Sequence, residues 1–151
     1  MNKQLIYSWY EQYKTGIYRY ALSILKDPHL AEDILQETFL RLLAGKGFPD
    51  PGKEQAWLYR VARNLCYDHL RRRSRETGEL PSGEYREGKY EYITLISPLK
   101  AKDQEIVTLK IVGGLTHKEI GRVLGITEQA AKKRYERAIA ALREQEENYG
   151  R

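Results

Sequence analysis

Apolar side chains recur every three or four positions along most of this chain, the spacing of one helical face. Alternating Val, Ile and Thr runs joined by Asn-Gly turns are absent, which argues against a sheet. Residues 3–26 place Leu5, Ile6, Trp9, Tyr13, Ile17, Tyr20, Ala21, Ile24 and Leu25 at helical spacing, with Gly16 expected to loosen the middle. Asp27-Pro28 then supplies a cap and a first-turn proline for a second helix over about 28–44. Gly45, Gly47, Pro49, Pro51 and Gly52 predict a loop, and a third helix is expected from Glu54 to Arg73. Between Ser74 and Gly88 the chain carries Gly78, Pro81 and Gly83 and little periodicity, so 74–89 reads as a linker. From Tyr90 onward about four helices are predicted, with breaks at Pro98, near Asp103, at Gly113-Gly114 and at Gly125. The expected fold is all-α: an N-terminal helical bundle (1–73) and a C-terminal helix-turn-helix domain (90–151), joined by a flexible acidic linker.

The second helix carries more than a core stripe. Leu30, Ala31, Ile34, Leu35, Thr38, Phe39 and Leu42 share one broad face. Glu32, Asp33, Gln36 and Glu37 fall outside it, and so do Leu40 and Leu43. A single solvent-facing leucine is ordinary. A leucine ringed by Asp33, Gln36 and Glu37 also suits docking onto a basic partner helix. In the third helix Trp57, Leu58, Val61, Ala62 and Leu65 form the predicted inner stripe. Arg60, Arg63, Asn64, Tyr67 and Arg71 gather on the opposite face, where they are either solvated or able to meet phosphates and unpaired bases. Phe48, on the preceding loop, either walls a pocket for an extruded base or plugs the small core beneath it.

The most specific local pattern lies near the C-terminus. Thr116 and Glu119 have capping-box spacing, and Ile120, Val123 and Leu124 supply an inner face. Gly125 sits where a short turn needs a left-handed residue; Ile126 follows inward, and Thr127 caps the next helix. There Ala131, Tyr135, Ala138, Ile139 and Leu142 face the core, while Gln129, Ala130, Lys133, Arg134 and Arg137 point away. This is a helix-turn-helix whose second helix presents side chains to a major groove. An αα-hairpin without a DNA role is the alternative.

Charge agrees with two nucleic-acid faces. The 151 residues are 41% hydrophobic and 31% charged, within the globular range, and carry net +5. Residues 1–73 hold 12 basic and 8 acidic side chains, residues 98–151 hold 11 and 8, and residues 74–97 hold 3 and 5. Two basic blocks flanking an acidic one is the pattern expected of two modules approaching a polyanion, and equally that of ordinary surface variation. Modules of about 50–75 residues bury roughly 60% of their unfolded surface and gain from docking on a partner. No apolar run reaches membrane-spanning length, and Met1–Tyr7 lack a secretory apolar stretch, so a cytoplasmic protein without membrane insertion is expected. The single cysteine, Cys66, excludes an internal disulfide and is expected to be packed rather than reactive. His29, His69 and His117 are too dispersed for a zinc motif, and neither a hydrolase triad nor a phosphate-binding loop occurs. No enzyme activity, cofactor, metal or small-molecule substrate is expected.

Three stretches together resemble the extracytoplasmic-function (ECF) branch of bacterial RNA polymerase sigma factors. Ala31-Glu32-Asp33-Ile34-Leu35-Gln36-Glu37-Thr38-Phe39-Leu40-Arg41-Leu42 is similar to the family's polymerase-binding helix. Trp57-Leu58-Tyr59-Arg60-Val61-Ala62-Arg63-Asn64, followed by Asp68 and Arg71-Arg72, is similar to its promoter-melting helix. Gly114 to Gly121 and Leu124 to Glu128 are similar to its C-terminal helix-turn-helix. The resemblance implies that Asp33, Gln36, Glu37 and Leu40 contact the clamp helices of core RNA polymerase. It implies that Phe48 helps hold a flipped base of the minus-ten element, with Arg60, Arg63, Asn64, Tyr67 and Arg71 along that strand. Gln129, Ala130, Lys133, Arg134 and Arg137 would read the minus-thirty-five duplex, the acidic linker would thread toward the RNA exit path, and an anti-sigma factor would be the regulatory partner. The chain departs from the family at Ala130-Ala131, at Lys133-Arg134, in a loop near Phe48 that is a residue shorter, and at Gly121. Gly121 replaces a usual alanine, at an expected cost of roughly 0.5–1 kcal/mol in helix stability. The reading from another class is a helix-turn-helix regulator that does not bind core polymerase.

Overall fold

The periodic segments all fold as helices in a computed structural model, which describes residues 3–45, 47–78 and 91–149. Contacts divide the chain into two compact units, within residues 1–84 and 85–151. Among the described residues all regular structure is α-helical, and no helix is long and apolar enough to cross a membrane.

In the first unit α1 (Lys3–Leu25) packs against α2 (Pro28–Leu43) and α3 (Glu54–Thr77), which also pack on each other. Helix α1 continues through Gly16, because burial of Ile17 and Tyr20 just beyond it outweighs one glycine. Its core face is Ile6, Trp9, Ile17, Tyr20, Ala21, Leu22, Ser23 and Leu25; Leu5 is exposed and Tyr13 and Ile24 are half-buried. Ser23 is tolerated in the core because its hydroxyl donates to the Tyr20 carbonyl at 2.6 Å. The helix ends at Lys26, which takes a left-handed φ of 57° usually left to glycine. Asp27 then caps α2, its Oδ1 accepting from the amides of His29 at 2.9 Å and Leu30 at 3.2 Å. Ala31, Ile34, Leu35, Thr38, Phe39 and Leu42 are buried as the α2 stripe requires, and Leu30 is half-buried.

The inner face of α3 differs from the one expected. Ala56, Leu58, Tyr59, Ala62 and Cys66 are buried, whereas Trp57, Val61 and Leu65 are half-buried. Contact with two helices widens and rotates the buried arc. Tyr59 becomes a central core residue, its ring tilted against that of Tyr20 at a centroid distance of 5.4 Å, and burial pushes its phenol pKa up. Cys66 is fully buried. Helix α3 also runs past Arg73 to Thr77, where Gly78 stops it in a left-handed conformation, its amide bonded to the Ser74 carbonyl at 2.9 Å. Ser74–Thr77, expected in the linker, are helical because nothing before Gly78 breaks the backbone pattern; the rest of the expected linker, 79–89, lies outside the described residues.

The second unit contains α4 (Glu91–Ile96), α5 (Ala101–Ile111), α6 (His117–Leu124) and α7 (Glu128–Tyr149). The break expected near Asp103 does not occur. Pro98 separates α4 from α5, and Asp103 sits in the first turn of α5, where a carboxylate complements the helix dipole. Ile93, Ile96, Leu99, Ile106, Leu109, Leu115, Ile120, Val123, Ala131 and Ala138 are buried. The Tyr92 and Thr108 hydroxyls, 3.0 Å apart, tie α4 to α5.

Candidate nucleic-acid and partner interfaces

On α2 the outward face is built by what the core stripe leaves over. Asp33, Gln36, Glu37 and Leu40 follow one another at helical spacing and all are exposed, Leu40 at 54%. Glu37 lies 3.7 Å from Arg41, a solvated pair of little energetic consequence. Leu40 and Gln36 also border a groove of about 440 Å³ between α1 and α2, which Lys3, Ile6, Tyr7, Tyr10, Phe39 and Leu43 complete. Sequence spacing does not mark Tyr7 and Tyr10 as groove residues, because adjacency across two helices leaves no trace in the spacing of one. The Tyr10 ring meets the Phe39 ring edge-on at 5.1 Å, which fixes the groove floor.

The second constellation runs from the loop after α2 along α3. Phe48 is 48% exposed, so it does not plug a core; its ring leans on that of Trp9 at a centroid distance of 5.3 Å. Arg60, Arg63, Asn64, Tyr67 and Arg71 recur at spacings that keep them on one face, with Arg60, Asn64 and Arg71 exposed and Arg63 and Tyr67 half-buried. The Arg63 guanidinium lies over the Tyr67 ring at 4.7 Å, which orients both groups. Asp68 hydrogen-bonds Arg72 and lies 3.8 Å from Arg71. The Arg72 hydrogen bond, followed by the charges of Arg72, Arg71 and Arg75, holds its carboxyl below the usual range. Because α3 continues to Thr77, exposed Arg75 extends this cationic face one turn past Arg71, which the early helix end had concealed.

The third constellation is the α6–α7 corner. Thr116 and Glu119 form both bonds of the capping box, Thr116 N–H to Glu119 Oε1 at 3.0 Å and Glu119 N–H to Thr116 Oγ1 at 3.1 Å. Gly125 adopts φ 72°, and the Ile126 amide donates to the Gly121 carbonyl at 2.9 Å. A Cβ at Gly121 would stand 2.6 Å from the Ile126 carbonyl oxygen. The glycine expected to weaken α6 is therefore what lets the turn fold back against it. Thr127 Oγ1 accepts the Ala130 amide at 3.1 Å and starts α7. Gln129, Ala130, Lys133 and Arg137 are exposed and Arg134 is half-buried. The structure brings all five together around a concavity of about 340 Å³, with Thr127 on its rim. Hydroxyl, amide and three cations converging at the start of a helix can donate to base edges and phosphates.

Behind this surface His117 packs at 5.7 Å from the Tyr135 ring, and its Nδ1 is buried with no hydrogen-bond partner among the described residues. Burial, then the charges of Lys110 and Lys132, lower its pKa below the usual 6.5.

The sigma-70 region 2 family matches residues 9–76, and the sigma-70 region 4 family matches residues 90–142. SigM, an ECF RNA polymerase sigma factor of Bacillus subtilis, is 33% identical over 132 residues, covering 79% of this chain and 81% of SigM. BldN, an ECF sigma factor of Streptomyces coelicolor, is 35% identical over 150 residues, covering 88% of this chain but 57% of BldN. Among solved structures, the sigma factor RpoE in complex with the anti-sigma factor NepR from Bartonella quintana has a TM-score of 0.73 at 22% identity, covering 91% of this chain and 95% of that one. CnrH in complex with the cytosolic domain of CnrY also scores 0.73 at 22% identity, covering 97% and 90%. At that identity the two structures share the fold.

Proposed function

The chain belongs to the ECF sigma factors of bacterial RNA polymerase, and on that premise we propose how its three surfaces divide promoter recognition. It binds core polymerase and directs promoter-specific initiation; it is not an enzyme, and bond formation belongs to the polymerase. The α2 face of Asp33, Gln36, Glu37 and Leu40 docks on core. The loop aromatic Phe48, with Arg60, Arg63, Asn64, Tyr67 and Arg71, holds the melted minus-ten strand. The α7 face of Gln129, Ala130, Lys133, Arg134 and Arg137 reads the minus-thirty-five duplex. These roles assign α1–α3 to core binding and melting, and the unit containing α4–α7 to duplex recognition. The protein acts in the cytoplasm, and its regulatory partner is an anti-sigma factor, the kind of protein bound to RpoE in the Bartonella quintana complex.

One observation carries the docking assignment: Leu40 is 54% exposed amid carboxylates, while the α2 core stripe beside it is buried. Run-off transcription with bacterial core polymerase over a genomic template library tests the whole reading and should yield promoter-dependent products; their absence would overturn it. Leu40→Asp should weaken core binding about tenfold or more, because an apolar anchor that docking buries is replaced by a charge. The helical circular dichroism should persist, since the residue is outside the core. Unchanged core affinity would remove Leu40 from the interface.

A further inference from the structure

We propose that Trp9 is the positioning residue for Phe48: the indole on α1 sets where the exposed phenyl ring stands when an unpaired base arrives. This rests on the reading of Phe48 as a wall of the minus-ten base pocket.

Pro49 and Pro51 restrain the chain after Phe48, but the glycines before it supply no stiffness. Gly45, Gly47 and Gly52 all take positive φ, at 72°, 134° and 80°, and glycine has the most backbone freedom to lose on ordering. Phe48 itself is half in solvent. Yet the residues around it are held from two sides. Trp9 is 8% exposed, so its indole is anchored in the α1 core face, and the Phe48 ring rests on it at 5.3 Å with the planes tilted by 38°. A Cβ at Gly47 would lie 3.3 Å from Cζ2 of Trp57, so the backbone before Phe48 runs close along the indole of α3. Pro49, just after it, is buried. Both tryptophans of the chain are thus placed against two consecutive residues of this loop.

A ring presented by a glycine-rich loop can stack on a base in many poses, and most of them do not discriminate. A ring backed by a buried indole has few poses, so part of the ordering cost is met before the base arrives. Trp9 lies on neither the docking face of α2 nor the cationic face of α3. Its influence should therefore fall on the preference for one base and not on duplex contacts or core affinity.

The test uses holoenzyme assembled from the full chain and bacterial core polymerase, with a pool of random-sequence single-stranded oligonucleotides as the probe. Bound sequences are read by sequencing. Wild type should enrich one base at one position, and Phe48→Ala should flatten that enrichment. Trp9→Leu should lower the same enrichment about two- to tenfold, the range set by loss of an aromatic pair. Other positions and core affinity should stay unchanged, and Trp9→Phe should fall between Trp9→Leu and wild type. Full enrichment in both Trp9 variants while Phe48→Ala is flat overturns the positioning role. So does a uniform fall at every position, which would mark Trp9 as a core residue only. If Trp9→Leu also loses core binding, Trp9→Phe decides, because it keeps a ring in the core and must still lower that one preference. Intact preferences in Phe48→Ala would instead overturn the reading of Phe48, and the proposal with it.

Discussion

At Gly121 two opposing effects act on one missing methyl group. In an unobstructed helix, alanine in place of glycine stabilises by roughly 0.5–1 kcal/mol. Here the added Cβ would stand 2.6 Å from the Ile126 carbonyl oxygen, and the obstacle is backbone that cannot rotate away like a side-chain tip. Displacing it also disturbs the Ile126 amide bond to the Gly121 carbonyl and the left-handed Gly125 between them. The collision should win, so Gly121→Ala is expected to destabilise the second unit by about 1–3 kcal/mol, the usual range for overpacking. Both tryptophans lie in the first unit, so their fluorescence is no direct probe of the second. Amide hydrogen exchange over α5–α7 is the appropriate measurement, and slower exchange in the variant would show that the turn relaxes around the methyl group.

The helices differ in how far their roles could be read from spacing. In α2 the buried and exposed faces contrast sharply in polarity, so its core stripe and outlying Leu40 were legible without any tertiary information. In α3 the contrast is blurred: Tyr59 is amphipathic and flanked by Arg60, and its place beside Tyr20 is set by a second helix. The pairing of Trp9 with Phe48, and the Gly121 contact, likewise exist only once distant segments meet. At the α6–α7 corner the capping box and Gly125 are local, and were legible; the state of His117 is not. Its ring faces Lys110 of α5 and Lys132, Tyr135, Glu128 and Glu136 of α7, and burial is the leading reason its pKa is lowered, with the two glutamates opposing. The folded unit therefore prefers neutral imidazole, whereas the unfolded chain takes up a proton near the ordinary 6.5. Stability from this group is complete above the unfolded value and is lost as pH falls toward the folded one. Exchange protection of α6 and α7, corrected for intrinsic rates, should decline between about pH 7.5 and 5.5, and His117→Phe should flatten that decline. An equally steep decline in His117→Phe would place the pH sensitivity elsewhere.

On the scale of the whole chain, positive charge is divided between two units, and the proposed roles set both on one promoter. Net +5 is modest, and its distribution matters more: 12 basic residues lie in 1–73 and 11 in 98–151. Each phosphate neutralised by a cation releases condensed counterions, so the salt dependence of binding counts contacts while affinity alone does not. Arg60 on α3 and Arg137 on α7 belong to different units. They share no helix through which a substitution at one would reshape the other. With holoenzyme on a promoter recovered by run-off transcription, Arg137→Ala should weaken duplex binding and reduce the salt slope by about 1. Arg60→Ala should leave closed duplex binding nearly intact and show the same loss on a template melted at the minus-ten element. On that melted template, which retains the upstream duplex, the double variant should show the sum of the two losses within about 0.5 kcal/mol, as independent sites do. Titrations of binding against salt for the four proteins provide the measurement. An unaltered slope for Arg137→Ala would assign that side chain to the solvated face of α7. A double variant no worse than the poorer single one would mean that the two units do not engage the promoter together.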